Sequence, residues 1–99
     1  MGKGGTVYIM TNQLRTVLYV GVTSDLRNRV LEHRTHFHKN SFTDKYNCTL
    51  CVYYCHYSTI VEAIAFEKQI KKWRREKKDQ LISSMNPHWE DLWKEIETW

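Results

Sequence analysis

Apolar positions fall into four blocks along the chain, and the spacing within each block points to a different element. Val7 to Met10 is a continuous apolar run that includes a tyrosine. A polar connection, Thr11-Asn12-Gln13-Leu14-Arg15, separates it from a second run, Val17-Leu18-Tyr19-Val20, which stops on Gly21. Two such runs with a connection longer than two residues predict an antiparallel hairpin, with Gly21 ending its second strand.

The spacing then becomes helical. Ser24 or Asp25 can cap a helix by accepting backbone N–H bonds, and Leu26, Val30 and Phe37 supply its apolar stripe. Arg29 and His33 are four apart, so they share one helix face. Thr35 to Asn47 is polar and reads as irregular. Thr49 to Tyr57 is β-branched and aromatic, lacks Gly and Pro, and does not alternate cleanly. That composition suits a strand covered on both faces. Thr59 and Glu62 have the spacing of a capping box. Ala63, Phe66, Ile70 and Trp73 form the stripe of a long helix that continues through "KQIKKWRREKKD" to about Leu81-Ile82. Asn86 before Pro87 predicts a new helix start, with Trp89, Leu92, Trp93 and Ile96 on one side. The expected order is β-β-α-β-α-α, an α+β fold in which helices cover a small sheet.

Composition narrows the picture. The 99 residues, 41% of them hydrophobic, suit one domain over 1–99, with 1–5 as a loose start. No apolar run approaches the roughly 18–20 residues of a membrane span. The start "MGKGGT" fits the myristoylation pattern, but a glycine-rich start more often means a loose lead into the first strand, which is the expectation here. The N-terminus has no signal-peptide core, so a cytoplasmic location is expected. Cys48, Cys51 and Cys55 are odd in number and fall short of the four ligands in two loop-borne pairs that a structural zinc site wants, the nearest fourth candidate, His56, lying inside the expected strand. Small buried hydrophobes are the expectation for them.

The net charge of +4 and the pI near 9.0 favour an anionic partner. Lys68, Lys71, Lys72, Arg74 and Arg75, with Lys77 and Lys78 beyond, concentrate that charge on the long helix. Such a run can contact a nucleic-acid backbone, or it can be an ordinary solvated face. Glu67 lies on or beside the apolar stripe of the same helix. A carboxylate there needs an ion pair, with Lys71 or Arg74, or a bound cation.

"VYI" at Val7–Ile9, "YVG" at Tyr19–Gly21 and "DLRNR" with Arg29 together resemble the GIY-YIG nuclease family. "EAIAFEKQIKKW" is similar to that family's glutamate-bearing helix, and "NPHWEDL" to the ending of its short, stand-alone bacterial members. The resemblance implies a three-stranded antiparallel sheet flanked by helices and a structure-selective endonuclease. Its substrate would be DNA, branched, flapped or damaged, met in repair or recombination, and its products would carry 5′-phosphate and 3′-hydroxyl ends. It implies a site of Tyr8, Tyr19, Arg29, His33, Glu67 and Asn86. Glu67 would be the sole protein ligand of one Mg²⁺ or Mn²⁺ ion. Arg29 would contact phosphate, and Tyr19 would be the better base. Thr6 replaces the family's first glycine, and Val22 stands where some members have a lysine that stabilises a phenolate. A nucleic-acid-binding module of the same fold, without catalysis, is the alternative. The protein partner is left unassigned, with a homodimer through the tryptophan-rich C-terminal helix as an open alternative.

Overall fold

The computed structural model describes residues 4–99. The first three residues, and with them most of the glycine-rich lead and its myristoylation pattern, lie outside the described residues. Strand β1 (Gly5–Thr11) begins one residue earlier than a loose 1–5 segment would allow. It pairs antiparallel with β2 (Leu18–Thr23) on one side and with β3 (Leu50–Tyr57) on the other. The strand order is therefore β2-β1-β3. The hairpin connection is built by Asn12, whose side-chain oxygen accepts from the backbone N–H groups of Thr16 at 2.8 Å and Val17 at 3.0 Å.

Gly21 does not end the second strand; it sits inside it, opposite Tyr8. A Cβ on Gly21 would meet Cζ and the hydroxyl of Tyr8 at 2.5 Å. The missing side chain is what lets the Tyr8 ring cross the neighbouring strand.

Helix α1 (Leu26–Arg34) is capped by Asp25, which accepts from Asn28 N. It buries Leu26, Val30 and His33. It stops before Phe37, which is 67% exposed rather than part of the stripe. The polar stretch that follows contains a short helix not anticipated from its pattern, α2 (Phe42–Lys45), capped by Ser41.

The two sheet faces carry separate cores. Val7, Ile9, Val20, Val52 and Tyr53 pack with Ala63 and Ile70 of α3 (Ile60–Lys71) and with Ile82. On the opposite face, Tyr8, Met10, Cys48 and Cys51 pack with Leu26 and Val30 of α1 and with Ile96. Cys48 and Cys51 are thus buried apolar residues, and burial pushes their thiols up, to about 11 and about 12. The register of β3 slips by one residue between Ile9 and Met10, so Val52 has no partner in β1. That bulge turns both Val52 and Tyr53 to the α3 side, which explains why the strand does not alternate.

The expected long helix is two helices, α3 and α4 (Arg75–Met85), separated by an extended Arg74. A straight helix over 60–82 would run about 34 Å, whereas the eight residues of β3 span about 26 Å. Its last turns would overhang the sheet. The break folds Trp73 against Phe66 and returns Leu81 and Ile82 to the core. Thr59 caps α3 through Glu62 N, and its hydroxyl and that of Ser58 donate to the Glu62 carboxylate, which lowers that group's pKa.

Asn86 is the C-cap of α4, not the start of the last helix. That helix, α5 (Trp93–Ile96), has only four residues. Its neighbours divide between the two cores: Trp89 packs on the α3 side, whereas Leu92, Trp93 and Ile96 pack on the α1 side. The segment is held by Arg34, which pairs with Asp91 at 2.7 Å, and by Arg27 and Arg34, which lie over the Trp93 ring. Among the described residues no helix is long and apolar enough to cross a membrane.

Candidate active site

Strand parity builds the site. Tyr8 on β1 and Tyr19 on β2 face the α1 side of the sheet, with ring centroids 6.4 Å apart. His33, from α1, lies between them, its ring centroid 5.6 Å from each phenol ring. The Tyr8 hydroxyl is 2.8 Å from His33 Nε2, and His33 Nδ1 is 3.0 Å from Thr43 Oγ1. Thr43 Oγ1 lies a further 3.3 Å from Ser41 Oγ. A neutral imidazole donates from one nitrogen and accepts at the other. Both ring nitrogens are therefore engaged whichever tautomer is present.

Burial sets the protonation states. Burial, helped by the charges of Arg29 and His38, lowers the His33 pKa to about 4. The ring is therefore neutral at neutral pH. Burial and the neighbouring Tyr19 phenol raise the Tyr8 pKa far above its ordinary value, against the opposing pull of Arg29. Tyr8 is completely buried and stays protonated, whereas Tyr19 is only half-buried. Of the two phenols, Tyr19 is the one that lines the pocket.

That pocket, of about 240 Å³, is lined by Tyr19, Arg29, His33, His38, Phe42 and Thr43, together with Ser41. Arg29 Nε lies 3.2 Å from a Glu32 carboxylate oxygen, and His38 Nε2 lies 3.1 Å from the same oxygen. This contact fixes the guanidinium through Nε and leaves its two terminal nitrogens uncommitted to a carboxylate. A larger groove of about 590 Å³, between the start of β1, the first turn of α1 and Trp99, contains none of the expected site residues.

Four of the expected residues, Tyr8, Tyr19, Arg29 and His33, thus come together. Glu67 comes from the other face of the sheet. It is nearly buried between Ala63 and Ile70, and its Oε2 is 2.8 Å from Lys71 Nζ. Because β2 is an edge strand, Glu67 and Tyr19 can share a ligand only around that edge. Lys71 is half exposed, so a cation already reaches the carboxylate from solvent. A hydrated divalent ion fits the same approach, and a single hard oxygen donor suits Mg²⁺, which keeps most of its waters. Among the described residues no three His, Cys, Asp or Glu side chains converge to offer a fuller set.

Asn86 is buried, and its amide is spent on backbone. It donates to Val52 O at 3.1 Å and Glu90 O at 2.8 Å, and accepts from Glu90 N at 3.0 Å. The carbonyl it takes on β3 belongs to the bulged residue. Of the basic residues, Lys68, Lys72 and Arg74 are exposed, while Lys71 is paired with Glu67. Arg75, also exposed, reaches to the hairpin connection, donating to Arg15 O and Thr16 O at 2.8 Å each and to Asp79. Thr43 and Phe42 belong to the site but carry no spacing signal, and only the placement of α2 over the sheet reveals them; Glu32, three residues after Arg29 on α1, could have been found from that spacing.

The GIY-YIG catalytic domain family matches residues 4–80. The chain belongs to the GIY-YIG family. The match extends from the first strand through most of α4 and so takes in both tyrosines, Arg29, His33 and Glu67. GIY-YIG domains are nuclease domains that act on DNA. The solution structure of the UPF0213 protein BH0048 from Bacillus halodurans superimposes with a TM-score of 0.57 at 25% identity, covering 92% of this chain and 95% of that one. A search of the curated proteins found no match.

Proposed function

We propose that this GIY-YIG chain is a DNA endonuclease that uses one divalent ion, Mg²⁺ or Mn²⁺, and selects branched, flapped or damaged DNA in repair or recombination. The observation that carries the reading is the pocket on which Tyr19 and Arg29 both open, backed by the buried Tyr8–His33–Thr43 chain. Arg29 clamps the scissile phosphate with its terminal nitrogens, a fork that lysine cannot offer. Tyr19 opens on the same pocket as Arg29 and is the phenol placed to take the proton of the attacking water. The water oxygen attaches to phosphorus, its proton passes to the Tyr19 oxygen, and the bond to the 3′ oxygen breaks. That oxygen takes a proton from solvent, which leaves 5′-phosphate and 3′-hydroxyl ends. Tyr8 remains a phenol and positions the His33 ring. An ion held by Glu67 would neutralise charge on the phosphate and the leaving oxygen. Lys68, Lys72 and Arg74 would hold the DNA backbone, giving steep salt dependence and little sequence preference.

A binding module without catalysis is the second reading. The Glu67–Lys71 ion pair and the position of Glu67 across the sheet from the phenols favour it. End-labelled duplex, single-stranded, flapped and four-way DNA incubated with Mg²⁺, Mn²⁺ or EDTA separates the two. Metal-dependent cleavage that falls at least about 100-fold in Tyr19→Phe and in Glu67→Gln supports the nuclease. A gel shift at low salt with no cleavage under any condition supports the binding module.

A further inference from the structure

The aromatic residues of the 35–47 segment are badly placed for stability. Phe42 is 45% exposed, Tyr46 50% and Phe37 67%. Polar contacts fasten the segment: buried Thr43 bonds His33, and Ser41 caps the helix. Phe42 instead lies on Tyr19, with centroids 5.9 Å apart and planes 30° from parallel. Tyr46 follows, its centroid 4.7 Å from that of Phe42 and its plane tilted 44° to it. A ladder of three rings thus runs from the pocket out to solvent.

The charges around the ladder have one sign to spare. Asp44 is held locally by His36 at 2.9 Å and by Asn40 N at 2.9 Å, and Glu32 pairs with Arg29, so Arg29, Lys39 and Lys45 outnumber the two carboxylates. Among the described residues no carboxylate pairs with Lys39 or Lys45. Exposed aromatic faces interleaved with unpaired lysines, continuous with a phosphate-clamping arginine, are the chemistry that holds single-stranded nucleic acid.

We propose that Phe42 and Tyr46 are a stacking platform for an unpaired base next to the phosphate held at Arg29. The proposal rests on the nuclease-site reading and narrows its substrate to DNA whose nucleotides beside the cut are unpaired: a flap, a frayed junction or a single strand. Bases within an intact duplex have both faces covered and cannot use the platform. Recognition by stacking is tolerant of sequence, because every base has a π-face.

The test reads binding, not cleavage. Fluorescein-labelled oligo(dT) and a labelled hairpin duplex of equal charge are titrated with the full chain in EDTA at low salt, and anisotropy is followed. Phe42→Ala and Tyr46→Ala should each weaken oligo(dT) binding by about 5- to 160-fold, the range that one stacked base implies, and Tyr46→Ala should leave the duplex affinity unchanged. Phe42→Leu keeps an apolar cover over Tyr19 without a π-face, so it should lose oligo(dT) binding while melting like the parent. Phe42→Tyr should retain it. Unchanged oligo(dT) affinity in Phe42→Leu, or an equal loss on the duplex, overturns the proposal. Selective oligo(dT) loss in a chain that never cleaves would leave the platform standing and remove only the nuclease reading.

Discussion

Protonating His33 should destabilise the fold by an amount that its surroundings define. The ring is 7% exposed, with Nε2 at 2.8 Å from the Tyr8 hydroxyl and Nδ1 at 3.0 Å from Thr43 Oγ1. A second ring proton removes its only acceptor and places a cation beside Arg29. The native pKa is held at about 4, against 6.5 for an unperturbed histidine. Between those values the unfolded chain binds a proton that the native chain refuses. The contribution is therefore fully present above pH 6.5 and is lost as pH falls toward 4. A shift of this size corresponds to about 3 kcal/mol, reduced to roughly 2 because one edge of the ring borders the open pocket. Urea unfolding of the parent and of His33→Gln at pH 7.0, 5.5 and 4.5 isolates it, since carboxylates that titrate in the same range cancel in the difference. The parent's advantage over the variant should shrink by about 2 kcal/mol between pH 7.0 and 4.5. A constant difference, or a His33 ring resonance titrating near 6.5 in NMR, would refute the reasoning.

Three other substitutions follow from the packing. Gly21→Ala drives a methyl into the Tyr8 phenol and should cost about 1–3 kcal/mol in urea unfolding, with cleavage lost alongside because Tyr8 and His33 move together. Asn86→Ala leaves the bulged carbonyl of Val52 without its donor and should lower stability by about 2–4 kcal/mol, readable as a lower urea midpoint with an unchanged slope. Arg75→Ala should leave the salt dependence of DNA binding as it is, because its guanidinium is occupied by Arg15 O and Thr16 O. Lys72→Ala should reduce the log–log salt slope by about 1.

The apolar pattern located the three strands, α1 and the start of α3, because in each the sheet or helix period matches the buried face. Tyr8 and Tyr19 could be paired from their strands alone. The break at Arg74 was not legible: "KQIKKWRREKKD" has good helix formers throughout, and only the length of the sheet makes a straight helix unworkable. The helical stripe placed Glu67 on the buried side of its own helix, but not on which face of the sheet that helix lies. Thr43 and Phe42 were invisible for another reason. A four-residue helix has too few positions to show a period, and both act through partners far away in sequence, His33 and Tyr19.

The outer edge of β3 is closed at Cys51 and Val52 by side chains and loop rather than by another strand. Asp91 accepts from Cys51 N, Leu92 N donates to Cys51 O, and Asn86 takes Val52 O. A second chain cannot extend the sheet there without first displacing this whole segment, so the protein carries its own guard against edge-to-edge aggregation on that side. Among the described residues no comparable staple reaches the backbone of Leu18–Thr23. Growth of the sheet, in an assembly or in a misfolded aggregate, would begin at β2, and the first strand added would lie against the one that carries Tyr19.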